Sequence, residues 1–153
     1  MLVLGCGHPD RGDDAAGPLV SRRLHEMLRD MGIDCREQSG DALSLLDAWQ
    51  DADEVVVIDA VVSGKRPGAV TMCDALAAPL VGRPRSSSHT LGLAEAIELG
   101  RTLGRLPRRL ILCGIEVRCF ELGEPPSKAV LRGVERAARK VYEYCVDPRR
   151  PAV

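Results

Sequence analysis

Aromatic residues are nearly missing from this chain: one Trp, two Tyr and one Phe, 3% of its 153 residues. A core without aromatic bulk has to be assembled from Leu, Val, Ile and Ala, which suits helices packed on a buried sheet. An excess of charge is missing too, with 21 basic residues against 22 acidic. Without a net positive field to neutralise phosphates, nucleic acid is not an expected partner. No apolar run approaches the roughly 20 residues that cross a bilayer, and the N-terminus lacks the basic and long apolar regions of an export signal. No membrane is expected, and the expected compartment is the reducing cytoplasm. The six cysteines, Cys6, Cys35, Cys73, Cys113, Cys119 and Cys145, include no C-x-x-C pair, which removes zinc-knuckle and thioredoxin-like readings. They read as small buried hydrophobes. A nucleophile elbow G-x-S-x-G is absent as well, and with it the usual signature of a Ser–His–Asp hydrolase.

What is present alternates. The run MLVLGCG reads as a fully buried first strand because its apolar residues are continuous. A helix opening at Asp13 or Asp14 comes next, with Leu19, Val20, Leu24, Met27, Leu28 and Met31 at helical spacing, Pro18 in its first turn and Gly32 as its stop. IDCREQ alternates as a second strand, and Leu43, Leu46 and Trp49 suggest a short helix from Asp41 to Gln50. EVVVIDAV, Glu54 to Val61, is the strongest strand signal and belongs at the sheet centre. AVTMCDA is the next strand. The polar loop GRPRSSS, Gly82 to Ser88, leads to His89 and a helix beginning near Thr90, with Leu93, Ile97 and Leu103 inward. RRLILCGIEV, Arg108 to Val117, is another buried strand. After the breaker EPP a last helix runs from Ser127 to Cys145, with Val130, Leu131, Val134, Ala138, Val141, Tyr142 and Cys145 as its apolar face. Such alternation predicts one α/β domain over 1–153: a three-layer αβα sandwich with a mostly parallel twisted sheet, of the phosphorylase/hydrolase-like kind.

The turn GCGHPDRGDD, Gly5 to Asp14, has the glycine spacing of a phosphate cradle, Gly7-x-x-x-x-Gly12. A P-loop would continue with Lys and Ser or Thr; here Asp13 and Asp14 stand in those places. Two carboxylates at a helix start are favoured by the helix dipole, yet together they repel phosphate and attract cations. A dinucleotide-binding turn fits no better, since Asp10 stands where the third glycine should be. In open α/β sheets ligands gather outside the carboxyl ends of strands. Asp14 comes after the first strand, Asp59 closes the central strand, and His89 immediately precedes a helix; two carboxylates and an imidazole suit a divalent transition ion with positions left open. An Asp at a helix start is most often a cap, the reading favoured for Asp13, whereas cap and ligand stay level for Asp14. An acid ending a run of buried valines costs desolvation unless a partner waits, which singles out Asp59. His25, on the polar side of the first helix, is read as solvent-facing.

These blocks resemble the hydrogenase maturation endopeptidases, which trim the C-terminal extension from the large-subunit precursor of nickel–iron hydrogenases. GCGHPDRGDDAAG is similar to the family's G-x-G-N-x-x-x-x-D-[DE]-x-x-G, VVVIDA to its strand ending IDA, SSSHTLGLAEAI to its histidine before a helix, and CGIEV to its GIEP-like strand end. The resemblance implies that Asp14, Asp59 and His89 are the catalytic and metal-binding residues. It implies, too, that the metal is nickel carried by the precursor, and that the enzyme is a cytoplasmic endopeptidase acting on that precursor, expected as a monomer. A nickel-sensing or chaperone module with the same ligands, or a small-molecule hydrolase on a related fold, is the alternative. The chain departs from the family pattern in three places. His8 replaces the usual Asn, as an added donor or, the favoured reading, a different loop hydrogen bond; Val117 replaces a common Pro; and EQSGDA, Glu37 to Ala42, differs from a D-G-G-T-x-G loop tied to substrate choice.

Overall fold

The computed structural model describes residues 1–77, 88–118 and 120–147, and of 88–91 only the backbone. Five strands, β1 (Leu2–Cys6), β2 (Asp34–Gln38), β3 (Glu54–Val61), β4 (Val70–Asp74) and β5 (Arg109–Glu116), form one sheet in the order β2-β1-β3-β5-β4. All neighbours run parallel except β4, which pairs antiparallel with β5 at the edge. The helices are α1 (Ala16–Leu28), α2 (Ala42–Ala48), α3 (Ser88–Leu103) and α4 (Lys128–Val146). A short 3-10 turn, Gly12–Ala15, precedes α1.

The continuous apolar strands are continuous because both faces are covered. Val3, Val56, Ile58 and Ile111 pack beneath Val20, Leu24 and Leu28 of α1 and Val134 and Val141 of α4. The alternate residues Leu4, Val55, Val57 and Leu112 pack beneath Leu45 of α2 and Leu93 and Ile97 of α3. Each such aliphatic side chain contributes roughly 1.5–3 kcal/mol relative to exposure, so two apolar layers, not aromatic bulk, hold the domain. The expected αβα sandwich is present. Trp49, 1% exposed, fills the second layer and its indole N–H donates to the Arg105 carbonyl at 3.1 Å.

Several side chains expected inward point out. Met27, Met31, Leu43, Leu103 and Leu131 are exposed. The α1 stripe closes on Val20, Leu24 and Leu28, four apart, and leaves Met27 on its flank. Met31 falls in a 3-10 turn, Arg29–Met31, where three residues per turn shift the stripe; Gly32 then stops it in the left-handed conformation (φ 66°). On α4 it is Tyr144 that is buried, while Tyr142 lies half-buried beside it.

From β1 the chain leaves through α1 on one face to β2, then returns past β1 through α2 on the other face to β3. The order therefore reverses between β1 and β3, and their carboxyl ends flank the crevice where ligands bind in open sheets of this kind.

Candidate active site

The glycines of the first turn are used by the chain on itself. Gly7 has φ 134°, and a Cβ there would lie 2.0 Å from the Asp14 carbonyl oxygen. At Gly17 a Cβ would lie 2.2 Å from the Cys6 carbonyl oxygen and 2.7 Å from that of Ile58. Only a residue without a side chain lets the start of α1 sit directly on the ends of β1 and β3. That contact draws the turn carrying Asp13 and Asp14 onto the switch point.

Asp14 and Asp59 are 1% and 2% exposed. The His8 backbone N–H donates to Asp14 Oδ2 at 2.9 Å. β3 continues two residues beyond Asp59, to Val61, so this acid stands inside the last turn of pleat and does not close the strand as expected. By strand parity with Val55 and Val57 its side chain belongs to the face covered by α2 and α3, as does Cys6 by parity with Leu2 and Leu4. The Cys6 thiol is held well above its ordinary range, first by burial and then by the charges of Asp59, Asp14 and Asp41. The turn Gly12–Ala15, which carries Asp14, packs against β3, which carries Asp59. Asp41 caps α2, accepting from Ser44 N at 2.9 Å and from Ser39 Oγ at 2.6 Å, and these bonds hold its carboxyl down to about 2.

His89 lies in the first turn of α3 rather than before it, and its side chain falls outside the described residues. Three residues further on, a Cβ at Gly92 would be 2.1 Å from the Gly40 carbonyl oxygen. The start of α3 therefore rests on the loop between β2 and α2, at the same carboxyl edge. Residues 82–87 of the polar loop lie outside the described residues, and Ser88 opens α3.

Asp13 corrects the cap expectation. The residues at the cap positions of the 3-10 turn and of α1 are Arg11 and Ala15, and Asp13 Oδ1 accepts from Ser127 N at 2.7 Å and its Oδ2 from Arg118 N at 3.3 Å, near the ends of α4 and β5. His8 is exposed, and its Nδ1 accepts from Asp10 N at 3.2 Å, the loop bond favoured from sequence. His25 is exposed. A buried acid that sequence reasoning passed over is Glu116, 2% exposed, which accepts from Ser63 N, Gly64 N and Ser63 Oγ at 2.7–2.9 Å and fastens the loop after β3. Its signal was the same as that of Asp59, one acid at the end of a buried apolar run. Cys35, Cys113 and Cys145 are buried and Cys73 half-buried; Cys119 lies outside the described residues.

Among the described residues no group of three His, Cys, Asp or Glu side chains could hold a metal. Asp14 and Asp59 each carry carboxylate oxygens, of the kind that divalent ions take. No helix among the described residues is long and apolar enough to cross a membrane.

Against known proteins, the family model described as hydrogenase maturation protease matches residues 20–144. The hydrogenase expression/formation protein HoxM of Azotobacter vinelandii is 27% identical over 150 residues, covering 96% of this chain and 72% of that protein. The hydrogenase 2 maturation protease of Escherichia coli (strain K12) is 29% identical over 118 residues, covering 75% of this chain and 71% of that one. Among solved structures, the hydrogenase maturating endopeptidase HybD from E. coli superposes with a TM-score of 0.79 at 25% identity, covering 99% of this chain and 95% of that one. The [NiFe] hydrogenase maturation protease HybD from Thermococcus kodakarensis gives 0.74 at 26% identity, covering 93% and 96%.

Proposed function

The chain belongs to the hydrogenase maturation proteases, and on that footing we propose that it removes the C-terminal extension of a nickel–iron hydrogenase large-subunit precursor once nickel has been inserted. Nickel enters as part of the substrate. The observation that carries the reading is the near-complete burial of two carboxylates, Asp14 and Asp59, on a turn and a strand that pack together beside the switch point between β1 and β3. In this reading His89, at the start of α3, adds an imidazole nitrogen to the two carboxylates. Such a set holds a free ion only moderately, but it can occupy the open positions of an ion already anchored in the precursor. The contact is then bivalent, protein surface and metal together, and its effective concentration is high. Binding energy that exists only for the loaded precursor delivers the scissile bond to the cleft after metal insertion and not before. Water adds to the scissile carbonyl, the C–N bond breaks, and the amine of the extension leaves with a proton.

The test is incubation of the purified protein with precursor prepared with nickel, or without nickel and in strong chelator, and then measurement of intact mass. Trimming is expected only for the loaded precursor. Asp59→Asn and His89→Ala should leave it uncut, and Asp59→Asn should melt no lower than the parent, since losing one buried carboxylate relieves repulsion. Efficient trimming in chelator would refute the nickel requirement, and trimming by Asp59→Asn at the parental rate would remove Asp59 from the site.

A further inference from the structure

We propose that Asp13 is a positioning residue, one that holds its neighbour Asp14 in the cleft by anchoring the turn they share to the start of α4. The assignment rests on the reading of Asp14 given above and extends it to a side chain that never faces the cleft.

Ser127 caps the 19-residue helix α4, its Oγ accepting from Val130 N at 3.3 Å. In a complete capping box the third helical residue is Glu or Gln and returns a side-chain oxygen to the backbone N–H of the cap. Here that residue is Val130, which has no oxygen to give. The Ser127 N–H instead donates to Asp13 Oδ1 at 2.7 Å, from a residue 114 positions away in the chain. The carboxylate also stands where the positive end of the helix dipole favours it.

The same carboxylate takes the Arg118 N–H at 3.3 Å through Oδ2, so it spans the whole segment from the end of β5 to the start of α4. Two backbone bonds close the seam beside it: Gly12 N to the Glu124 carbonyl at 3.0 Å and Gly123 N to the Asp10 carbonyl at 2.8 Å. The turn from His8 to Asp14 is therefore clamped from outside along its length. On its inner side that turn carries Asp14, whose Oδ2 holds the His8 N–H at 2.9 Å.

Such a clamp has a purpose set by charge. Asp14 and Asp59 are both buried, on a turn and a strand that pack together, and like charges held out of water repel more strongly than in it. Of the two, Asp59 is fixed inside a central strand. Asp14 sits on a turn, so repulsion acts by lifting the turn, and the bonds of Asp13 oppose that movement. Asp13 sits one residue from the carboxylate it positions, and its backbone partners Ser127, the cap of α4, and Arg118, just past β5, adjoin chain anchored in the core through Val130 and Val117.

Amide hydrogen exchange on the full chain, with the His8, Arg118 and Ser127 N–H resolved, reads the assignment directly. Asp13→Asn keeps the shape but gives up one acceptor and turns an amide NH2 toward a backbone donor. Faster exchange is expected at Arg118 and Ser127, and also at His8, by on the order of tenfold or more, because the His8 N–H is held by Asp14. Speeding at Arg118 and Ser127 with His8 unchanged would make Asp13 a fastening of α4 alone and overturn the proposal. Should Asp13→Asn fail to fold, the pair Ser127→Ala and Ser127→Pro decides. Ser127 has φ −63°, which proline adopts, so Ser127→Pro removes the N–H that Asp13 accepts while Ser127→Ala removes only the hydroxyl. His8 exchange should rise with Pro and stay parental with Ala; equal exchange in both overturns the proposal. Trimming of nickel-loaded precursor is measured alongside. A parent chain that does not trim defeats the functional reading, while the His8 result still decides the role of Asp13.

Discussion

If the site is built from Asp14, Asp59 and His89, the thiols around it are spectators, and their protonation makes this measurable. An ordinary cysteine with a pKa of about 8.5 is roughly a quarter thiolate at pH 8. Burial pushes Cys113 and Cys145 up to about 12 and Cys35 up to about 11. At pH 8 a thiol at about 12 is thiolate to about one part in ten thousand, some three orders of magnitude below a free cysteine, before any loss of access is counted. Cys6 is displaced in the same direction, by burial first and then by three carboxylates, whereas a nucleophilic cysteine needs a cationic neighbour. The same displacements set how stability varies with pH. A thiol whose folded pKa lies above its unfolded one favours the folded state fully below the unfolded value, and that contribution is lost as pH rises through the folded one, so it weakens from about pH 9 upward. Iodoacetamide at pH 8, with sites mapped by mass, should leave Cys6, Cys35, Cys113 and Cys145 unmodified until denaturant is added. Cys6→Ala and Cys113→Ser should trim precursor within about threefold of the parent, because neither thiol takes part in the chemistry. Alkylation of Cys6 or Cys113 in folded protein within about tenfold of a peptide thiol, with trimming lost in step, would refute this and make the enzyme a cysteine protease.

Glu116→Ala removes the charged acceptor of three bonds to Ser63 and Gly64, so about 1.5–3 kcal/mol should be lost in urea denaturation; the donors are exposed and regain water, which caps the loss. A change under about 0.5 kcal/mol would mean that the loop is held by its neighbours instead. Gly17→Ala gains about 1 kcal/mol of helix propensity in α1 yet places a methyl 2.2 Å from the Cys6 carbonyl oxygen. A net destabilisation of about 1–3 kcal/mol with trimming sharply reduced is expected, and a stabilised, active variant would show that α1 does not rest on the strand ends as described.

The strands that carry the site were readable because they are buried on both faces. LVLGC and EVVVIDAV admit no polar face, so their place at the sheet centre came from composition. The start of α4 was equally plain, since two prolines break the chain and a serine caps the helix after them. Orientation was harder. β4 comes after β3 in sequence but pairs with β5, and no local signal tells a strand which distant neighbour it will meet. The misplaced side chains share a cause: Met27, Leu103 and Leu131 are apolar residues on the flank of an amphipathic stripe, where an extra hydrophobe and a core hydrophobe have the same spacing. Glu116 and Asp59 show the same ambiguity among acids. Each ends a buried run, and sequence alone does not show that Glu116 spends its oxygens on the loop after β3.

The paired acids of the first turn pose that ambiguity between adjacent residues. Asp13 and Asp14 are both buried to 1% exposure, so burial does not tell them apart. Geometry does. They stand in a 3-10 turn, Gly12–Ala15, where successive residues are about 120° apart around the axis, so two neighbours cannot face one crevice. One acid must turn outward from the strand ends, and in a buried place a carboxylate needs donors waiting for it. The backbone N–H groups of Arg118 and Ser127 are those donors, brought from 105 and 114 residues away. With Asp13 committed to them, Asp14 bonds within the turn, its Oδ2 accepting from the His8 N–H. A turn with the glycine spacing of a phosphate cradle thus packs its own backbone with Gly7 and gives its two acids different partners, the distant N–H groups of Arg118 and Ser127 for Asp13 and the nearby His8 N–H for Asp14.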